Sequence, residues 1–115
     1  MSKASITKGK AAESLAISYL QQNGLSLIKQ NFHSRFGEID LIMRDKDVVV
    51  FVEVKLRNSG INTGIESITY NKQQKLIKTA NYYLVKLGHD VACRFDAVVI
   101  GTENNYEWLK NIITL

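Results

Sequence analysis

Two aliphatic segments joined by a short polar turn constrain the fold of this chain more than any other feature. The first runs from Gly37 to Arg44 and the second from Val48 to Leu56. If Lys46 and Asp47 form a two-residue hairpin loop, the aliphatic side chains of both segments fall on one face. A loop of odd length would instead place carboxylates opposite valines. The hydrophobic pattern therefore predicts an antiparallel hairpin with one register.

The polar face of this hairpin predicts a metal site. The aliphatic pairs of the register are Met43 with Val50, Leu41 with Val52, and Ile39 with Val54. The pairs on the other face are Ile42 with Phe51, Asp40 with Glu53, and Glu38 with Lys55. Two opposed carboxylates about 5 Å apart repel by about 3 kcal/mol at an effective dielectric near 20. A divalent cation between Asp40 and Glu53 would reverse that sign, and oxygen ligands suit Mg²⁺ or Mn²⁺. Lys55 would then be close enough to position or deprotonate a water.

The same alternation has a second reading. A strand with charges on one side is typical of a solvated outer face, and Glu38 with Lys55 would then be an ordinary cross-strand ion pair. Ile42 and Phe51 lie among these charges and favour a covered face. The sequence leaves both readings open.

The remaining elements predict a mixed α/β domain. Helical periodicity predicts helices over residues 8–22 and about 71–87, and further strands are expected at 25–32, 91–100 and 106–112. The apolar stripe of the first helix comprises Ala12, Leu15, Ala16, Tyr19 and Leu20, and that of the second Leu76, Ala80, Tyr83, Leu84 and Leu87. The predicted fold is one domain over residues 1–115, a mixed β-sheet flanked by helices in the order α-β-β-β-α-β-β. A glycine-bearing loop from Asn58 to Gly64 is expected to be a substrate flap or an ordinary surface loop.

Composition limits the partners. Fifteen Lys and Arg against eleven Asp and Glu give a net charge of +4, which permits a polyanionic partner. The sequence lacks the apolar run of a membrane span or a secretory signal, so we expect a cytoplasmic chain with no membrane partner. Cys93 has no second cysteine to pair with, and only His33 and His89 are available as imidazole ligands, which excludes a zinc-finger site.

The hairpin motif resembles that of a nuclease superfamily. GEIDLI, followed after a short turn by VVVFVEVKLR, resembles the split D…ExK signature of the PD-(D/E)XK superfamily, the fold of many restriction enzymes and archaeal Holliday-junction resolvases. More closely, GEIDLIMRD, FVEVKLR and RFDAVVI resemble the YraN-type bacterial family over nearly the whole chain. The resemblance implies a restriction-endonuclease-like core and a Mg²⁺-dependent phosphodiesterase.

The resemblance also implies residue roles. In the superfamily the acids hold Mg²⁺ and the lysine assists the water that attacks the phosphodiester. Asp40 and Glu53 are therefore expected as metal ligands, the carbonyl of Val54 as a further ligand, and Lys55 as the catalytic lysine. Glu13 matches an acidic residue on the first helix of some resolvase-like members, although a solvated glutamate favourable to the helix dipole would give the same pattern.

Basic residues around the hairpin are candidates for binding a nucleic-acid backbone. Lys72 is the strongest, because its charge adds to the amide donors of a helix N-terminus. Lys75, Lys78 and Arg57 are further candidates, although a lysine-lined helix face is commonly just solvated. Arg94 and Asp96 are predicted to be a structural pair. Three aromatic side chains would either stack on bases or pack against the fold: Tyr82, Tyr106 and Trp108.

These predictions converge on a metal-dependent nuclease that acts on structured or branched DNA, with DNA preferred over RNA. A homodimer would suit it, because cutting two strands takes two sites. The alternatives are a catalytically inactive nucleic-acid-binding module and an interaction subunit with a nuclease-like fold.

Overall fold

The order of helices and strands is the one predicted from the sequence. The computed structural model describes residues 3–57, 68–102 and 105–113. Its elements are α1 (Lys3–Gln22), β1 (Ser26–Ser34), β2 (Gly37–Asp45), β3 (Val48–Leu56), α2 (Tyr70–Leu87), β4 (Ala92–Ile100) and β5 (Tyr106–Leu109). This is the mixed α/β architecture of a restriction-endonuclease-like core. The predicted loop from Asn58 to Gly64 lies outside the described residues.

The strands form one sheet in the order β1-β2-β3-β4-β5 within the described residues. β1, β2 and β3 are antiparallel neighbours, β4 runs parallel to β3, and β5 returns antiparallel to β4. A parallel pair needs a long crossover connection, and α2 lies in the one that joins β3 to β4. No helix in the described part of the chain is long and apolar enough to cross a membrane.

A helix packs on each face of the sheet. On one face, α1 contributes Ala12, Ala16 and Leu20 to a buried cluster with the β2 and β3 side chains. On the other, α2 contributes Leu76 and Ala80. Leu15, predicted to belong to the α1 stripe, is 41% exposed. That prediction is wrong because residues 12, 16 and 20 define the buried line, and a residue one position before it points to the side.

The predicted hairpin register is confirmed over most of its length. The ladder pairs Leu41 with Val52 at one end and Asp45 with Val48 at the other. Lys46 begins the turn with a φ of 57°, in the left-handed region that a hairpin turn of this length requires.

The register prediction fails at Ile39. This side chain is buried with Ile42 and Phe51 on the α2 face, whereas alternation from its neighbours predicts the α1 face. The regular alternation breaks next to Asp40, whose carboxylate oxygen Oδ2 accepts the Val54 N–H at 2.9 Å. Among the described residues, the backbone pairing of β2 with β3 ends at Leu41–Val52. Beyond that point the Asp40 carboxylate, in place of a backbone carbonyl, accepts the Val54 N–H. The two strands therefore diverge where the predicted metal site begins.

Arg94 and Asp96, both on β4, form the structural ion pair that the sequence predicted. The Nε atom of Arg94 donates to both oxygens of Asp96 at 3.1 Å, and Asp96 is 1% exposed. The same carboxylate accepts the indole N–H of Trp108 and the backbone N–H of Asn111, both at 2.9 Å. Arg94 also contacts Asp45 at 3.1 Å. The pair therefore fastens β2, β4 and β5 together.

Candidate active site

A cleft of about 250 Å³ opens where the hairpin strands diverge. Its wall comprises Gly37, Glu38, Asp40, Glu53, Lys72, Lys75 and Leu76. The start of β2, the end of β3 and the first turns of α2 thus meet at one place. The N-terminus of α2 is fixed by Thr69, whose hydroxyl accepts the backbone N–H of Lys72 at 3.2 Å. The structure thereby brings together residues that the sequence separates by more than thirty positions.

The two predicted acids are direct neighbours in this cleft. Glu53 is only 8% exposed, and its side chain shares a hydrogen bond with Asp40. Burial, followed by the hydrogen bond to Asp40 and its charge, raises the pKa of Glu53 to about 8. Because a hydrogen bond between two carboxyl groups requires a proton, the pair holds one at neutral pH. The closeness of the two acids therefore favours the protonated form of Glu53 at neutral pH.

Two lysines face the acids. Burial, followed by the hydrogen bond and the charge of Lys72, lowers the pKa of the Lys55 amine. The charges of Glu53 and Asp40 act in the opposite direction. Lys55 comes from the same strand as Glu53, whereas Lys72 comes from the first turn of α2. The outcome is a cluster of two carboxyl groups and two amines, with one acid and one amine shifted toward their neutral forms. Lys55 belongs to this cluster but is not among the residues that line the cleft.

The donor set of the cleft fits a hard divalent cation. Its acidic side chains offer only oxygen, and Mg²⁺ is commonly held by one or two carboxylates while water and phosphate fill its other positions. Within the described ranges, no group of three or more His, Cys, Asp or Glu side chains could hold a metal ion. An ion here would therefore rely on Asp40 and Glu53, with the Val54 carbonyl as the further candidate ligand.

Glu13 lies one hydrogen-bonded residue away from the cleft. The side-chain amide of Asn31 donates to both Glu13 oxygens, at 3.0 and 3.2 Å, and to Glu38 at 3.0 Å. Asn31 adopts a φ of 53°, which asparagine tolerates better than most residues. The structure thus links α1 to the cleft wall through Asn31. The sequence analysis missed this residue, and a single asparagine in a strand gave no signal for it.

The other predicted residues divide into two groups. Lys75 lines the cleft, as a backbone-binding residue would. Arg57 instead donates to Glu107 at 2.8 Å and is not among the residues that line the cleft. The alternative ion pair between Glu38 and Lys55 is wrong for the described residues, because Glu38 contacts Asn31 and lies 3.7 Å from His33.

Two of the three candidate aromatic residues serve packing. Tyr106 stacks on Tyr19 with ring centroids 4.6 Å apart, and Trp108 is held by Asp96. Tyr82 is 41% exposed, with the Lys86 amine 5.0 Å from its ring centroid. Cys93 packs against the α2 cluster, and burial raises the pKa of its thiol, which disfavours a nucleophilic role.

Comparison with known proteins identifies a family. The family described as "Uncharacterised protein family UPF0102" matches residues 12–100. A UPF0102 protein of Legionella pneumophila is 50% identical over 108 residues, covering 90% of this chain and 92% of that protein. One from Nitrosomonas europaea is 51% identical over 107 residues, covering 90% and 91%. One from Psychromonas ingrahamii is 49% identical over 111 residues, covering 95% and 91%. These names designate a family and state no activity.

Proposed function

This chain belongs to the UPF0102 family, the YraN-type family predicted from its sequence, and from its cleft we propose that it is a divalent-metal-dependent nuclease. The proposed reaction is hydrolysis of phosphodiester bonds in structured or branched DNA. One observation carries the proposal: Asp40, Glu53 and Lys72 line an open cleft, and the charge of Lys55 acts on the same cluster. Such a cluster is costly without a ligand, and perturbed titratable groups in a cleft are characteristic of functional sites.

The acids and Lys55 would have different roles in the proposed reaction. When bound, Mg²⁺ or Mn²⁺ would polarise a phosphate oxygen and lower the pKa of a water. Asp40 and Glu53 would hold the ion, and Glu53 would release its proton on doing so. Lys55, whose pKa is lowered, has a larger neutral fraction than an exposed lysine and would accept a proton from the attacking water.

Phosphate binding is the proposed role of the α2 lysines. Lys72 and Lys75 line the cleft beside the acids, where their amines would offset the charge of the scissile phosphate and its neighbour. Cutting both strands of a branched duplex takes two such clefts, so the proposal includes a homodimer related by a two-fold axis.

A cleavage assay tests the proposal. The substrates are branched, flapped, duplex and single-stranded DNA, with matching RNA, each incubated with Mg²⁺, Mn²⁺ or EDTA. We expect metal-dependent cleavage of DNA that falls by about a hundredfold or more in Lys55→Ala, a typical size for the loss of a proton-transfer group. Lys86→Ala is the matched control, since Lys86 lies in the last turn of the same helix.

Calorimetry separates metal binding from chemistry. We expect Mn²⁺ binding to be lost in Asp40→Asn and in Glu53→Gln but retained in Lys55→Ala. If the wild type instead binds DNA equally well in EDTA and cleaves none of the substrates, the nuclease proposal is wrong and the inactive binding module replaces it.

A further inference from the structure

In the turn between β1 and β2, the aromatic ring of Phe36 lies close to two cationic side chains. The Arg35 guanidinium carbon lies 5.0 Å from the centroid of the Phe36 ring, and the Lys78 amine lies 5.8 Å from it. Phe36 is half-buried, whereas Arg35 and Lys78 are exposed. The next residue in the chain, Gly37, lines the cleft that contains the catalytic acids. Phe36 therefore lies next in the chain to a residue that lines the proposed active site.

Hydrogen bonds fix this turn against α2. The Ser34 hydroxyl accepts the backbone N–H of Phe36 at 3.0 Å and pairs with the hydroxyl of buried Thr79 at 3.1 Å. A Cβ on Gly37 would stand 3.7 Å from the Cβ of Lys75, so the turn lies directly on the helix. The ring and the lysines of α2 consequently keep a defined spacing.

Among the described residues, the cations near the ring have no acidic partner. Within the described residues, no ion pair joins Arg35, Lys75 or Lys78 to a carboxylate, although Arg57 and Arg94 are both paired. Lys75 and Lys78 are three residues apart on α2, about 4.5 Å along its axis, so their side chains share one side of the helix. A row of unneutralised positive charge therefore leads from the cleft to the Phe36 ring.

We propose that Phe36 is a stacking platform for an unpaired base and that Lys75 and Lys78 bind the adjoining phosphates of the same strand. The inference rests on the proposed nucleic-acid substrate and adds its form, a single-stranded segment such as a flap or an open branch point. An aromatic ring beside a row of cations is the combination that binds single strands, because every base has a face that can stack. The Arg35 guanidinium supplies a second planar group against which the base can lie.

A binding assay in EDTA tests the platform without cleavage. Fluorescence anisotropy measures the Kd of a short labelled single strand and of the blunt duplex of the same sequence. We expect Phe36→Leu, which keeps an apolar side chain without a ring, to weaken single-strand binding about tenfold and duplex binding less than about twofold. Tyr82→Leu is the matched control, since it removes a partly exposed ring that also carries a lysine, Lys86 at 5.0 Å. We expect it to change neither Kd.

Lys78→Gln distinguishes charge from stacking. We expect it to weaken both ligands and to lower the salt dependence of log Kd by about one unit of slope, as the loss of one phosphate contact does. Circular dichroism melting confirms that each variant is folded. A loss in Phe36→Leu that is equal for both ligands, or absent, overturns the platform, as does a wild type that binds neither ligand.

The assay also separates this inference from the nuclease proposal. If single-strand binding depends on Phe36 but no metal-dependent cleavage occurs, the platform stands and the nuclease proposal falls. If cleavage occurs while single-strand binding is independent of Phe36, the platform alone is wrong.

Discussion

Two buried acids on neighbouring strands of this sheet have opposite surroundings. Asp96 is 1% exposed and accepts hydrogen bonds from Arg94, Trp108 and the backbone of Asn111. Glu53 is 8% exposed, and its hydrogen-bond partner is another carboxyl group, that of Asp40. Among the described residues, the first acid accepts hydrogen bonds from three donors, whereas the second is paired with a carboxyl group and is offset only by the charges of Lys55 and Lys72. A buried acid without a complete set of donors is retained chiefly where a ligand completes the set.

The difference follows from where each acid lies in the sheet. Asp96 stands beside Val52 in the parallel ladder of β3 and β4, and β5 with the segment that follows it closes over the carboxylate. Glu53 is one residue further along β3, on the opposite face, where β2 and β3 separate. Asp96 is enclosed by its hydrogen-bond donors and therefore has a structural role. Glu53 lies in an open cleft and is therefore available to a cation.

The largest expected effect is on the structural acid. We expect Asp96→Asn to lower the free energy of unfolding by about 3 kcal/mol, because it leaves Arg94 without its buried counter-charge. Urea denaturation measures the change. An effect below about 1 kcal/mol would contradict the structural role, and Mn²⁺ binding by the folded variant should be unaltered.

The corresponding change at the cleft is expected to have the opposite sign. The pKa of Glu53 is raised from 4.5 to about 8, so the folded chain binds this proton more tightly than the unfolded chain. The stability that the proton provides is fully present below about pH 4.5 and is lost as pH rises through about 8. We expect Glu53→Gln, whose amide can still donate to Asp40, to be about 2 kcal/mol more stable than the wild type at pH 9. This is less than the roughly 5 kcal/mol of the full shift, because the open cleft lets water solvate the ionised acid.

The pH profile provides the control for that prediction. Near pH 4 the two chains should have the same stability, because Glu53 is then protonated in both the folded and the unfolded states. Urea denaturation at both pH values measures the difference, and equal stability at pH 9 would show that Glu53 is not the group carrying the shift.

Divalent metal should stabilise one of the two regions only. At ten times its Kd, we expect Mg²⁺ to raise the free energy of unfolding of the wild type by about 1.4 kcal/mol. Because binding displaces the proton of Glu53, the affinity should rise about tenfold per pH unit up to about pH 8. Thermal melts with and without Mg²⁺ measure the shift, which should vanish in Asp40→Asn and persist in Asp96→Asn.

The smallest expected effect removes one donor from the structural acid. We expect Trp108→Phe to lower the free energy of unfolding by about 1 kcal/mol, because Asp96 loses one hydrogen bond while Arg94 and the Asn111 N–H remain. Urea denaturation measures it. A change in Mn²⁺ affinity in this variant would show that the Asp96 region and the cleft are not independent.

Local pattern was sufficient for much of the fold. The alternation of aliphatic residues selected the register from Leu41–Val52 to Asp45–Val48, since a slip of one residue would have set aliphatic side chains opposite polar ones. Ile39 escaped that logic, because it lies where β2 leaves its ladder and alternation no longer holds. The burial of Leu15 was predicted wrongly for a different reason. A helical stripe predicted from apolar spacing is wider than the line of residues that packs against the sheet.

The candidate site was predictable only as far as the hairpin extends. Asp40, Glu53 and Lys55 lie on adjacent strands joined by a tight turn, so pairing alone could bring them together. The contact of Lys72 with Lys55 depends on how α2 crosses the sheet, which no local pattern specifies. Phe36 was missed for the same reason, because its cations come partly from a helix some forty residues away.

The position of the chain's single tryptophan has a spectroscopic consequence. Trp108 donates to Asp96, lies edge-on to Tyr19 at 6.4 Å, and has the Lys110 amine 4.3 Å from its ring. Its emission should therefore respond to unfolding of the Asp96 region, while occupation of the cleft on the opposite face leaves it nearly unchanged. A titration with metal or oligonucleotide thus needs an added fluorophore, whereas the intrinsic signal follows folding alone.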